Sequence, residues 1–359
     1  MLYGHGGDIY GLARRLGKRP EEIIDFSSNI SPLPPPSGLR EVLIRQIDEI
    51  RRLPEVDSLC LREAIGRRYG LAPDRIFVVP GTTDWIHAIP ALLRPERVVI
   101  PIPTYADYED AARKAGCEVV SVPLGPEGLS AGECLDAIFH AATERDLVFL
   151  CNPNNPTGRY IPPRDIADAA SKRPRTFWVV DESYAPFVAE DALSSLLGRS
   201  LENVLILRSF SKIYGVPGLR LGYAVGSTAL KETLESAVKP WAVSRLSQIA
   251  GEYLLKETAY EEEVRKYCAR EKRRFLALLE GVSFLKPLPG ETHFILYQVR
   301  PPWSAGEVTK FLEAEGILIR DCSNFSGLDG RYIRMAVKSG KENDMLAHVL
   351  RRMDGDKDF

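Results

Sequence analysis

The sequence predicts an α/β protein, with a large lobe built on a largely parallel sheet followed by a smaller α+β lobe. Three observations carry that expectation. Seven short β-rich runs alternate with segments of helical period, the rhythm of a parallel sheet covered by helices. After Trp241 the texture changes to a long charged helical stretch and then short strands. At 359 residues and 45% hydrophobic content, the chain is also long enough to fill two cores.

Taken in order, the prolines of NISPLPPPSG (29–38) cannot continue a helix, so an extended path into the large lobe is expected there. The strand runs follow: RIFVVP (75–80), RVVIPI (97–102), CEVVSVPL (117–124), DLVFLC (146–151), TFWVVD (176–181), NVLILRSF (203–210) and LGYAVG (221–226). Between them, DYEDAARKAG and PRDIADAASKR set apolar residues three and four apart, as helices laid on a sheet do. SQIAGEYLLKETAYEEEVRKYCAREKRRFLALLEG reads as one long helical stretch, with HFILYQV and RYIRMAV as strands of the smaller lobe. The expected division is an amino-terminal segment 1–44 joining the small domain, a large domain 45–240 and a small carboxyl-terminal domain 241–359.

Composition narrows the partners. Forty-seven basic residues nearly balance forty-nine acidic ones without a long single-sign run, which argues against nucleic acid and anionic membranes and for small molecules. The amino terminus lacks a signal-length apolar core and no uncharged stretch approaches bilayer length, so a cytoplasmic protein is expected. Six scattered cysteines without a C-x-x-C pair imply reduced thiols and no metal site. His87, His140 and His348 lie in helical stretches and read as ordinary surface or core residues.

Ligand sites in open α/β sheets form at the carboxyl ends of strands, and four strand ends here are chemically loaded. GTTDWIHAI follows VVP, so Gly81, Thr82 and Thr83 open a helix whose free N–H groups suit an anion such as phosphate; a simple helix cap would look the same. NPNNPTG (152–158) specifies a rigid turn from which Asn155 can project its amide toward a ligand, the other asparagines stabilising the turn. TFWVVD ends in Asp181, a carboxylate that needs a partner when buried, either a salt bridge or a protonated cofactor ring nitrogen. Tyr184, three residues on, would contact the same ligand. SFSKIYGVPGLRLGY places Lys212 beside Ser209, Ser211 and Arg220, fitting an amine that forms a Schiff base with a phosphate-bearing aldehyde.

Together NPNNPTG, DESY, SFSK and GLRLGY, in that order and spacing, resemble the fold type I pyridoxal 5′-phosphate (PLP) enzymes of the aminotransferase class I/II superfamily, over nearly the whole chain. The resemblance implies a PLP-dependent transferase-like fold with a mostly parallel seven-stranded sheet, and a homodimer. It implies that Lys212 bonds the cofactor aldehyde and shuttles protons, and that Asp181 keeps the pyridine nitrogen protonated. Asn155 and Tyr184 would hydrogen-bond the ring's phenolate oxygen, Tyr105 of PTYADY would stack on the ring, and Gly81, Thr82, Thr83, Ser209, Ser211 and Arg220 would hold the phosphate.

Within the superfamily, HGGDIYGLARRLG, DFSSNISPL, PWAVS and ILIRDCSNFSGLDGRYIRMAVKS resemble the threonine-phosphate decarboxylase family of cobalamin biosynthesis, close kin of the histidinol-phosphate aminotransferases. This implies decarboxylation of L-threonine O-3-phosphate to (R)-1-amino-2-propanol O-2-phosphate. The alternative is transamination of histidinol phosphate or a related amino acid with 2-oxoglutarate. Substrate contacts are then expected from Arg334 to the carboxylate, from Arg320 and His5 to the phosphate, and from Ile30 and Asn155. The glycine pair after His5 would let backbone approach a ligand closely. Three departures stand out: Leu53 where the families carry a tyrosine that reaches the neighbouring subunit, and Ser244 and His293 where asparagine is usual.

Overall fold

A computed structural model of the chain describes residues 5–188, 195–199 and 201–355. Its strands in chain order are β1 (Ile24–Asp25), β2 (Ile76–Val79), β3 (Arg97–Ile102), β4 (Glu118–Pro123), β5 (Leu147–Cys151), β6 (Phe177–Asp181), β7 (Val204–Ser209), β8 (Gly222–Val225), β9 (Leu285–Pro287), β10 (Phe294–Val299), β11 (Ile317–Leu318), β12 (Arg320–Asp321) and β13 (Tyr332–Ala336). Each of the seven β-rich runs becomes one strand of a seven-stranded sheet ordered β2-β8-β7-β6-β5-β3-β4. All its pairings are parallel except those of β8, which runs against both neighbours.

Alternation along these strands supplies two cores, one on each face of the sheet. Val148 and Leu150, Trp178 and Val180, and Ile206 turn to one face with Ile138, Ile166 and Leu196. Leu147, Phe149, Val179, Leu205 and Leu207 turn to the other with Trp85, Ile89 and Tyr108. Burial on both faces explains why the strand sequences read as unbroken apolar runs.

The smaller lobe holds an antiparallel sheet ordered β12-β13-β10-β9. Its core gathers Phe275, Phe284, Ile295, Tyr297, Ile333 and Met335 with Phe26 from the amino-terminal segment. β1 pairs in parallel with β11, Ile24 opposite Ile317, and Phe26 stacks on Phe275 at 6.2 Å. Residues 29–37 run without helix until Gly38–Arg45, as the prolines require.

One expected element differs. The long charged stretch is two helices, Arg245–Leu254 and Thr258–Leu278. The first is pressed against the large lobe so closely that a Cβ at Gly251 would lie 2.8 Å from Leu221 and 3.0 Å from Leu61. The second carries Tyr260, Val264 and Cys268 in the large core and Phe275 in the small one. The chain turns between them at Leu255–Glu257. No helix among the described residues is long and apolar enough to cross a membrane.

Adjacent residues after β6 face opposite ways. Glu182 turns away from Asp181 to a buried pair with Arg208 at 3.0 Å, and also accepts from the Ser195 hydroxyl (2.6 Å) and the Leu196 N–H (3.0 Å). Removing one partner strands the other's charge, so Glu182→Ala is expected to cost about 3–5 kcal/mol in urea unfolding. A loss below about 1 kcal/mol would show that water reaches Arg208.

Candidate active site

The floor of the site forms where β5, β6 and β7 end. Asp181, in register with Cys151, is buried and accepts from the Tyr108 hydroxyl at 2.8 Å and the Ser183 N–H at 2.9 Å. Both donors are neutral, and no basic side chain is bonded to it among the described residues, so the carboxylate keeps its charge available for a cationic ligand group. Sequence reasoning passed over Tyr108. The available signal was its place three residues after Tyr105 in PTYADY, the spacing that puts two side chains on one helical face.

The NPNNPTG turn divides its asparagines by task. Asn152 exchanges hydrogen bonds with the backbone of Ile161, both at 2.8 Å. Asn154 donates to the Pro103 carbonyl and the Thr157 hydroxyl and accepts from Thr104. Only Asn155 turns into the cavity, where its amide oxygen accepts from Arg334. Tyr184 faces the same space; burial pushes its pKa up to about 12, keeping its hydroxyl a donor, and it accepts from Asn29 at 3.3 Å. Asn29 was likewise unforeseen.

At the other end of the cavity lie Gly81, Thr82, Thr83, Ser209, Ser211 and Arg220. Gly81 caps the helix Thr82–Leu93 with φ +91°, and a Cβ there would stand 2.6 Å from an Arg220 nitrogen. Glycine is therefore required twice, by conformation and by space. Ser209 caps Phe210–Ile213, its hydroxyl accepting from the Ser211 N–H. Among the described residues Arg220 pairs with no carboxylate; it donates to the Pro217 carbonyl.

Lys212 stands between the two ends, and Tyr105 also lines the cavity. Burial of its amine, then repulsion from Arg334 and Arg220, pulls the Lys212 pKa down to about 8, against a smaller opposing pull from Asp181. The neutral amine, the form that acts as a nucleophile, is therefore a minor fraction near physiological pH but a far larger one than in a solvated lysine.

The expected substrate residues surround this cavity. Arg334 is buried and donates to Asn155 and to the Ser27 carbonyl. Arg320 donates to Asn324 at 2.7 Å and the Asp321 carbonyl at 2.6 Å. His5 lies 3.5 Å from Asp107, its ring 6.1 Å from Tyr105. Ile30 is half-buried and does not line the cavity; its neighbours make the contacts, Asn29 to Tyr184 and the Ser31 N–H to the Lys212 carbonyl at 2.9 Å.

Of the three departures, Leu53 is 75% exposed. Ser244 caps the helix Arg245–Leu254. His293 is buried and stacked on Phe187 at 3.8 Å, with its pKa driven well down by burial.

Residues 21–353 match the family described as Aminotransferase class I and II. The chain belongs to that family. Its fold is accordingly fold type I and its cofactor is PLP. The chain is 33% identical over 354 residues to a threonine-phosphate decarboxylase of Salmonella typhimurium, spanning 97% of this chain and 96% of the relative. It is 32% identical over 335 residues to histidinol-phosphate aminotransferase 2 of Archaeoglobus fulgidus, spanning 93% and 94%. The crystal structure of L-threonine-O-3-phosphate decarboxylase from Porphyromonas gingivalis aligns with a TM-score of 0.83 at 30% identity, over 92% of this chain and 99% of that one. The cavity's groups fit the family cofactor: hydroxyls, helix N–H groups and Arg220 at one end, an amine of lowered pKa in the middle, and at the other a carboxylate bonded, among the described residues, to no basic side chain.

The Lys212 pKa makes a test of pH. Capture of PLP by the apoprotein should accelerate as pH rises toward about 8 and level off above about 9, because the neutral amine reacts and the ammonium does not. Absorbance of the forming complex reads the rate. A rate still climbing at about pH 10 would mean that Lys212 titrates as a solvated lysine.

Proposed function

We propose that the chain decarboxylates L-threonine O-3-phosphate. The observation that carries this reading is the pairing of Arg320 with Arg334, directly opposite each other on β12 and β13. Both are buried, and neither meets a carboxylate among the described residues. Like charges opposite one another on antiparallel strands repel, and burial without counter-ions adds to the cost. A substrate with two anionic groups, a carboxylate and a phosphate, relieves both.

In this reading Gly81, Thr82, Thr83, Ser209, Ser211 and Arg220 hold the cofactor phosphate, Asp181 keeps the ring nitrogen protonated, Tyr105 stacks on the ring, and Asn155 and Tyr184 donate to its phenolate oxygen. The bound cofactor supplies an electron sink for the bond broken at the substrate Cα. Arg334 takes the carboxylate, and Arg320 and His5 take the phosphate. By fixing both anionic ends, Arg334, Arg320 and His5 would orient the substrate Cα and so select which of its bonds breaks. The Cα–carboxylate bond yields its electron pair and CO2 departs. Lys212 then delivers one proton to Cα, completing the amine. No keto-acid acceptor is consumed.

The purified holoenzyme should therefore release CO2 from L-threonine O-3-phosphate without 2-oxoglutarate. Arg334→Ala should lower kcat/KM about 100-fold or more, as loss of a buried partner of a substrate charge does. Turnover only of histidinol phosphate, and only with 2-oxoglutarate present, would reject the decarboxylase reading in favour of transamination.

A homodimer forms part of the same proposal. Ile44, Ile47, Ile50, Leu53, Val56 and Leu59 recur at every third residue and are all at least 46% exposed, and Trp241, 52% exposed, donates to the Val56 carbonyl. An apolar strip of this length on the surface calls for a partner face. Sedimentation should give twice the mass of one chain, and Leu53→Asp should shift the protein toward monomer. A monomeric parent protein would dismiss the proposal.

A further inference from the structure

The amino-terminal residues are held down more firmly than a chain end needs. A Cβ at Gly6 would lie 2.5 Å from the Ser27 carbonyl oxygen, so only glycine lets the backbone pass there. The next residue, Gly7, sits at φ +89° and donates its N–H to the Ser27 hydroxyl at 2.7 Å. Ser27 is itself fixed: its hydroxyl donates to Asp25 at 2.6 Å, and its carbonyl accepts from Arg334. Two glycines and one serine thus thread the chain alongside a substrate-binding arginine.

The side chain this delivers is His5. Its Nε2 lies 3.5 Å from the carboxylate of Asp107, which opens the helix Asp107–Lys114 and is 5% exposed. Asp107 does not belong to the cofactor cavity proper, yet it acts on Tyr105, which does: after burial, the Asp107 carboxylate is the strongest influence raising the Tyr105 pKa. The same helix accepts at Glu109 from the Ser326 hydroxyl at 2.7 Å, bringing down the loop that follows Arg320. One helical turn therefore receives both the amino-terminal segment, on Asp107, and the small-lobe loop, on Glu109.

We propose that Asp107 is a positioning residue that holds His5, on its glycine-threaded segment, over the mouth of the site as the contact for a substrate phosphate. The buried carboxylate fixes the direction of the imidazole ring, and the close passage of Gly6 over Ser27 fixes its position. The proposal rests on the reading that the substrate carries a phosphate, but not on which bond at Cα breaks. Asp107 acts on the phosphate through His5, while its contact with Tyr105 bears equally on both members of a ligand pair, so the positioning role is read in the difference between the phosphorylated ligand and its unphosphorylated partner.

The test is a ligand titration of the PLP-loaded protein, read by absorbance of the bound cofactor. Two pairs of ligands are compared: L-threonine O-3-phosphate with L-threonine, and histidinol phosphate with histidinol. Asp107→Asn and His5→Ala should each weaken the phosphorylated member by about tenfold more than its unphosphorylated partner, and the double variant should lose no more of that preference than either alone. Gly6→Ala, which keeps both side chains and displaces the segment, should reproduce the signature and carries the test if Asp107→Asn fails to fold. Equal weakening of both members, or additive losses in the double variant, would overturn the proposal. Preference of the parent protein for histidinol phosphate would sink the decarboxylase reading alone, with Asp107 judged on that ligand. No preference for either phosphorylated member would overturn both.

Discussion

The site depends on charge held in place without its usual partner. Lys212 feels Arg334 and Arg220 as repulsive neighbours. Asp181, which partly offsets that repulsion on Lys212, is bonded to a tyrosine hydroxyl and a backbone N–H rather than to a base. Side chains free to move would rotate apart or find counter-ions. Here each sits at or just beyond the end of a strand locked between two cores, so the electrostatic tension persists in the folded protein until an anionic, ring-bearing ligand relieves it. The large apolar sheet is what makes that tension sustainable.

Rigidity around Lys212 has a further source. Tyr214, which ends the short Lys212 helix, donates to Glu261 at 2.5 Å, and Arg68 pairs with the same carboxylate at 2.8 Å. Glu261 lies in the first turn of Thr258–Leu278, the helix that enters both cores. The reactive amine is thereby tied to the element joining the two lobes. The Glu182–Arg208 pair secures the segment after Asp181 in the same manner from behind. Neighbouring residues of one motif thus divide their work, one facing the ligand and the next anchoring the backbone.

Much of this was legible in the sequence because parallel strands buried on both faces advertise themselves as apolar runs, and ligand-facing residues follow them directly. Lys212, Asp181, Asn155, Tyr184 and the residues around Gly81 all occupy such positions. What escaped notice depends on contacts between distant segments. Tyr108 bonds a carboxylate more than seventy residues away, and Asn29 reaches Tyr184, just past the end of β6 and 155 residues on; no local pattern announces either. The break between Arg245–Leu254 and Thr258–Leu278 was hidden for the opposite reason. Helix formers run through both segments, and the turn at Leu255–Glu257 carries no glycine or proline to announce it.

The pairing of β1 with β11 bears on how the chain comes to be folded at all. Residue 24 cannot find its strand partner until residue 317 exists, and Phe26 has no core to enter before Phe275 and the strands beyond it are made. During synthesis the large sheet, whose strands lie close in sequence, can assemble first, while the leading segment waits on the last hundred residues. Because that segment also brings Ser27 to Arg334 and His5 to Asp107, the side of the site proposed to take the substrate is completed last. A ribosome-bound chain could therefore shape the cofactor's cradle well before it has anywhere to put a substrate.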